Sequence, residues 1–255
     1  MANVYIINLP QSTDRRLFVE ADFSEMGMLP EFVSAVDGCK HATRLSRLIS
    51  KSKLSAGEVA LTLSHRKAWR KLLTTKDPYA IVLEDDARIS KQFKTFSTFD
   101  WTCVGFDIIK LETFNKTFIS RKWYRCGLWR LHRLADEHYG TAGYLISRQE
   151  AVKALSIRRG LRGAIDSVIF GRGVISRGAL KVYQVVPAVV VQDEKLPTEF
   201  GRRLFASTIE GERAFINTKN RKMKSRGLAR WEPKIRGTWR RLRMLFTGMK
   251  RASIP

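Results

Sequence analysis

Apolar residues fall into short runs separated by polar and turn-forming residues, and the periods of those runs predict alternating strands and helices. Val4-Tyr-Ile-Ile-Asn-Leu9 is a β-branched and aromatic run stopped by Pro10, the pattern of a buried strand. The polar loop Gln11-Ser-Thr-Asp14 then starts a helix expected from Arg15 to about Met26. Glu31 to Gly38 reads as a second strand closed by the Asp37-Gly38 turn. Ser55, followed three residues later by Glu58, matches a capping box and opens a helix running to about Leu73, with Val59, Leu63, Trp69, Leu72 and Leu73 largely on one side. Ala80 to Leu83 is wholly apolar, as a central parallel strand covered on both faces should be. Gly105–Leu111, Gly140–Ser147 and Val182–Val191 are further strands, the last broken by Pro187, and a helix is expected from Arg148 to about Leu155. Phe114–Asp136 is aromatic and basic with no clear period. Strands alternating with helices predict an α/β fold with a mostly parallel central sheet and helices on both faces.

At 255 residues the chain is expected to hold one α/β domain, residues 1–200, followed by a basic, partly amphipathic extension, residues 201–255. A hydrophobic content of 44% is enough for a substantial core and excludes global disorder. Cys39, Cys103 and Cys126 are odd in number and form no CxxC pair, which argues against a zinc knuckle or disulfide framework and for a reducing compartment. The start MANVYIINLPQS has no basic region followed by a sustained apolar stretch, and no run of eighteen apolar residues occurs, so neither a signal peptide nor a transmembrane helix is expected.

Charge changes the picture. Lys and Arg number 47 against 24 acids, a formal net of +23, which points to an anionic partner and says nothing of fold. Lys219–Arg251 alone holds thirteen Lys/Arg and one acid, Glu232. Within it Trp239, Leu242, Phe246 and Met249 recur at helical spacing, with Arg236, Arg240, Arg241, Arg243 and Lys250 around them. A basic amphipathic helix of this kind suits an anionic membrane surface, with Arg236, Trp239, Arg240, Arg241, Leu242 and Phe246 as its contacts. Nucleic acid is the less favoured partner for the same charges, since no zinc-finger, homeodomain-like or RNP-type motif accompanies them. The expected location is cytoplasmic, peripheral on the inner face of the cytoplasmic membrane.

Against this basic background, Ala80-Ile-Val-Leu-Glu-Asp-Asp-Ala87 ends an apolar strand in three carboxylates. Three adjacent negative charges at a strand end call for a cation. A hard divalent ion such as Mn²⁺ or Mg²⁺ takes oxygen ligands and bridges a diphosphate, and the C-terminal ends of parallel strands are where α/β sheets bind nucleotides. Strand alternation puts Glu84 and Asp86 on one side. The competing reading is a strand-to-loop transition with solvated acids.

Five stretches, VYIINLPQSTDRR (4–16), FVSAVDG (32–38), GEVALTLSHRKAW (57–69), AIVLEDD (80–86) and GTAGYLIS (140–147), occur in one order over roughly residues 3–195. In them the chain resembles the family 25 glycosyltransferases, the lipopolysaccharide and lipooligosaccharide sugar transferases related to the collagen galactosyltransferases. The resemblance implies a GT-A-like nucleotide-diphospho-sugar transferase fold. It also implies a UDP-sugar donor, often UDP-galactose, a divalent metal, and inversion at the anomeric carbon during transfer to a saccharide or glycolipid acceptor. It places Glu84, Asp85 and Asp86 on the acidic metal motif, and Asn8, Leu9, Arg15 and Arg16 in the first loop that holds the nucleotide. Arg15 and Arg16 either oppose the diphosphate or are ordinary solvated residues at a helix start. Asp37 either contacts the nucleoside or only makes a turn. His65 is a substrate contact or a satisfied structural histidine. Gly140 and Gly143 admit close approach of backbone to a ligand or merely pack tightly. Asp166, the only acid between Glu150 and Asp193 and framed by apolar residues, is the candidate catalytic base, or else the N-cap of a helix over 167–170. Asp193 is a weaker candidate for a further metal ligand. The alternative class is a non-catalytic basic protein, binding nucleic acid or membrane, on a degenerate transferase scaffold.

Overall fold

The computed structural model describes residues 1–52, 54–113, 118–156, 163–175, 180–195 and 249–251. Its first three strands follow the apolar runs: β1 (Asn3–Asn8), β2 (Glu31–Ser34) and β3 (Tyr79–Glu84), with β1 parallel to both others. Alternation along β1 and β3 sends successive side chains into two separate cores. Val4, Ile6, Ile81 and Leu83 face helices α1 (Thr13–Glu25) and α4 (Phe93–Thr98), which contribute Val19, Phe23, Phe93 and Phe96. Tyr5, Ile7, Ala80 and Val82 face α3 (Ala56–Thr74), α5 (Arg148–Ser156) and α6 (Ile165–Phe170), which contribute Trp69, Leu72, Ala151, Ile169 and Phe170. Helices cover both faces, as the sequence predicts. The capping box of α3 also forms: the Ser55 hydroxyl accepts from the Glu58 N–H at 3.1 Å, and the Glu58 carboxylate accepts from the Ser55 N–H at 2.9 Å.

The sheet itself departs from the expected mostly parallel one. Its nine strands run β11-β6-β7-β9-β5-β8-β3-β1-β2, where β5 is Ile108–Lys110, β6 Phe118–Cys126, β7 Trp129–Leu134, β8 Gly143–Ser147, β9 Val182–Val186 and β11 Met249–Arg251. Among the described residues only the β1–β2, β1–β3 and β5–β9 strand pairs are parallel. β8 enters antiparallel between β3 and β5, and β6, β7 and β11 alternate in direction. The physical reason is that an apolar run reports burial on two faces and carries no information about the direction of its neighbours. β3 is fully covered although one of its neighbours runs against it.

Four local differences have similar causes. Pro187 divides the expected last strand: β9 stays in the main sheet, while β10 (Val190–Gln192) leaves it to pair with β4 (Ala87–Ile89). The aperiodic Phe114–Asp136 stretch holds the β6–β7 hairpin, whose first strand has no buried face over Arg121–Arg125 and so shows no alternation. Helix α2 (Ala42–Ser52) packs Leu45 against Val59 and Ala60 of α3. Met249, expected on a helix face, lies in β11, which pairs with β6 at Phe118–Ser120. The six residues proposed to meet a membrane, Arg236, Trp239, Arg240, Arg241, Leu242 and Phe246, lie outside the described residues. Among the described residues no helix is long and apolar enough to cross a membrane.

Candidate active site

Because β1, β2 and β3 run parallel, the loops that follow them open on one edge of the sheet. There they enclose a cleft of about 360 Å³. Its walls hold Leu9, Gln11, Ser12 and Arg15 after β1, Asp37 and Gly38 after β2, Gly57 and Ser64 from α3, and Glu84, Asp85, Asp86 and Gln192 at its floor. Residues distant in sequence, among them Leu9, Arg15, Asp37, Glu84, Asp85 and Asp86 named above, thus meet in one place.

Each of the three acids has its own partner. Asp85 accepts from the Asn8 amide at 2.9 Å and from the Arg15 guanidinium at 2.8 Å, an ion pair only 12% exposed on either side. Arg15 therefore neutralises an acid as well as lining the cleft. Glu84 turns toward α3 and β8, where the Thr141 hydroxyl donates to it and His65 Nε2 lies 3.5 Å away. Burial works to raise its carboxyl, but the contacts from His65 and Thr141 and the charge of Lys110 hold it below the ordinary range. Asp86 accepts from the Gln192 amide at 3.1 Å, yet its other carboxylate oxygen is buried with no hydrogen-bond partner. Burial, then repulsion from Glu84 and Asp85, pushes its carboxyl up to about 7. That is the signature of a carboxylate lacking a counter-charge.

The remaining candidates divide. Asp37 lines the cleft and accepts from the Gln11 amide at 2.7 Å and the Lys40 N–H at 2.9 Å, the latter first in holding its carboxyl below the usual range. Arg16 stands apart, paired with Glu20 at 2.8 Å and stacked over Phe32. His65 is fully buried, with Nδ1 2.8 Å from the Tyr144 hydroxyl, which also accepts from the Trp69 indole. Gly143 is packed inside the sheet, where a Cβ would come within 2.9 Å of Leu83 and Val190. Asp193 is taken by Arg88 at 2.7 Å.

Asp166 is not the N-cap of its helix. α6 begins one residue earlier, behind Ala164, and the Asp166 carboxylate receives the N–H of Ser167 at 2.7 Å and, at a longer 3.4 Å, that of Gly140. Gly140 belongs to a loop with two consecutive tasks, since the next residue, Thr141, holds Glu84. Gly140 has φ +88°, a conformation that favours glycine, and a Cβ there would crowd the Glu112 carboxylate at 3.1 Å.

Sequence reasoning missed what fixes this loop. Lys110 and Glu112 are both fully buried, with their charged ends 2.8 Å apart. Lys110 also donates to the Gly140 carbonyl at 2.7 Å and sits over the Phe170 ring, and Glu112 accepts from the Ala142 N–H at 2.9 Å. Burial pushes the lysine down and the carboxyl up, each opposed by its partner. The available signal was two opposite charges at positions i and i+2 inside Ile-Ile-Lys-Leu-Glu, a run otherwise apolar.

Comparison with known proteins decides what this site belongs to. Residues 1–169 match the family model described as Glycosyltransferase family 25 (LPS biosynthesis protein). The chain belongs to glycosyltransferase family 25. Among its relatives, the lipooligosaccharide biosynthesis protein lic2B of Haemophilus influenzae is 30% identical over 220 residues, covering 75% of this chain and 76% of the relative. The lacto-N-neotetraose biosynthesis glycosyltransferase LgtE of Neisseria meningitidis serogroup B is 30% identical over 207 residues, covering 74% and 73%. Solved structures align loosely. The inositol-1-phosphate CTP transferase from T. maritima covers 78% of this chain and 93% of its own at a TM-score of 0.43 and 10% identity, too little to carry an argument. As a family 25 member the protein is a glycosyltransferase, and the acid-floored cleft is its candidate active site.

Proposed function

We propose that this family 25 transferase moves galactose from UDP-galactose, with inversion and dependence on a divalent metal, to a saccharide of lipopolysaccharide or lipooligosaccharide. The family description and the names of the relatives support the acceptor class. The cleft at the ends of three parallel strands supports a nucleotide-diphosphate donor and a GT-A-like arrangement. One observation carries the reading: the buried, unpartnered oxygen of Asp86, beside two further acids on the floor of that cleft.

Mn²⁺ or Mg²⁺ fits this oxygen set. Asp86 and Glu84 would hold it, while Asp85, engaged by Asn8 and Arg15, steadies the floor. Among the described residues no group of three or more His, Cys, Asp or Glu is placed to hold a metal ion, so the reading needs the donor's phosphate oxygens and water to supply the other positions. When bound, the ion supplies charge neutralisation for the departing diphosphate. Asp37, Gln11 and Ser12 line the cleft and would face the nucleoside. Asp166 takes the proton of the acceptor hydroxyl as the glycosidic bond forms. Asp166 is not among the residues that line the cleft, but the loop 140–142 touches both acids, Gly140 donating to Asp166 and Thr141 to Glu84. The basic extension holds the enzyme at the membrane where lipid-linked acceptors reside.

Screening a panel of UDP-sugars for metal-dependent hydrolysis by the purified protein tests the reading, with Asp86→Asn as control. The expected result is turnover of UDP-galactose above the other donors, lost in the variant. Equal turnover by the variant, or none with any donor, contradicts it.

A further inference from the structure

The β6–β7 hairpin, at the far edge of the sheet from β2, has a surface that the transfer reaction leaves unused. From Arg121 through Arg125 every residue of β6 is exposed, so the strand meets solvent on both faces. Residues 118–134 contain Arg121, Lys122, Arg125, Arg130 and Arg133 and no Asp or Glu. Among the described residues none of these five has an acidic partner; Arg130 instead lies over the Trp123 ring and Arg133 over Tyr183.

Cations alone have an ordinary explanation. Lys and Arg on an edge strand prevent pairing with another chain. That explanation does not cover the apolar groups among them: Trp123 is 44% exposed, Tyr124 64%, and Leu128, at the hairpin turn, 68%. Guarding an edge requires their absence. Trp and Tyr among Arg and Lys, with an aliphatic side chain at a protruding turn, is the composition that seats in a lipid headgroup layer. A single-stranded nucleic acid would use the aromatic rings for stacking but has no use for Leu128. The sequence Lys219–Arg251 holds thirteen Lys/Arg against one acid, and its last three residues, Met249–Arg251, form β11, paired to β6 itself.

We infer that the β6–β7 hairpin is a membrane-docking surface that seats on anionic phospholipid headgroups, with Arg121, Lys122, Arg125 and Arg130 meeting phosphates and Trp123 and Leu128 entering the headgroup layer. The inference stands apart from the reading of the cleft, because vesicle binding requires no turnover.

The test is co-sedimentation of the full chain with phosphatidylcholine vesicles and with vesicles also containing phosphatidylglycerol. Two variants are compared with the parent, Arg121→Gln/Lys122→Gln and Trp123→Ser/Leu128→Ser, all side chains exposed enough to change without disturbing the core. Thermal melting verifies that each folds. The parent is expected to prefer the anionic vesicles, and each variant to partition about tenfold less with the extension intact. Leu128→Ser alone, at the turn, provides the reading if either double variant fails to fold, with a smaller loss in the same direction. Unchanged binding by the variants overturns the inference. So does a parent that ignores anionic vesicles but binds a single-stranded oligonucleotide.

Discussion

The two edges of the sheet solve opposite problems. At one, β2, β1 and β3 run parallel, their following loops gather on a single side, and the concave space between them collects Glu84, Asp85 and Asp86. At the other, β7, β6 and β11 alternate in direction, a tight turn joins β6 to β7, and cations and aromatics of β6 are exposed. The chain as a whole is strongly basic, yet three consecutive acids stand largely buried at the end of β3, where Glu84 and Asp85 repel Asp86. On the readings proposed above, the first edge holds unsatisfied electrostatics for a ligand and the second presents charge to a surface.

The comparison can be broken at several depths. The largest effect is expected at Asp166. Asp166→Asn should lower kcat about 10³-fold with donor affinity little changed, because only the proton acceptor is removed. Steady-state kinetics over donor concentration measures it, and a loss confined to KM would remove Asp166 from the chemistry. Lys110→Met should cost about 3–5 kcal/mol of stability by leaving Glu112 charged, buried and unpaired, and Lys110→Met/Glu112→Gln should regain part of it. Chemical denaturation of the two variants gives both numbers.

In the core between the edges, Glu150 on α5 is buried and raised to about 7, chiefly by burial and then by Asp107. Its folded value exceeds the ordinary 4.5, so the folded state holds the proton more tightly. The associated stability is present in full below the unfolded value and is lost as pH rises through about 7. Glu150→Gln should abolish that decline and raise stability above neutral pH by on the order of 2 kcal/mol. Thermal melts from acid to mildly alkaline pH check it. Smallest is Arg16→Gln. An exposed ion pair with Glu20, outside the cleft lining, should change stability and donor KM by well under about 1 kcal/mol.

Legibility in the sequence follows the same division. The parallel edge was readable because β1 holds the apolar run Val4–Ile7 shortly before Pro10, β3 is an apolar run ended by three acids, and Ser55 and Glu58 announce α3. The antiparallel part was not. Gly140–Ser147 was recognisable as a strand, but nothing in GYLIS encodes that it runs against both neighbours. The hairpin lacked a period because β6 has no buried face over Arg121–Arg125. Within the site, residue types named the chemistry and three dimensions assigned the partners. Arg15 reads in sequence as a phosphate ligand or a solvated residue at a helix start and is found holding Asp85; Asp166 reads as either cap or base, and the start of α6 at Ile165 removes the cap. Lys110 and Glu112 escaped notice because a paired charge in an apolar strand is visible only once its partner is placed beside it.

The most direct test of the central claim is calorimetric titration of UDP into the full chain with Mn²⁺ and with EDTA, repeated on Asp86→Ala. If Asp86 and Glu84 hold a cation that grips the diphosphate, UDP binds the parent at least about tenfold tighter with Mn²⁺, and the variant shows no such difference. Equal affinity in Mn²⁺ and EDTA for the parent, or a metal effect that survives in Asp86→Ala, contradicts the account.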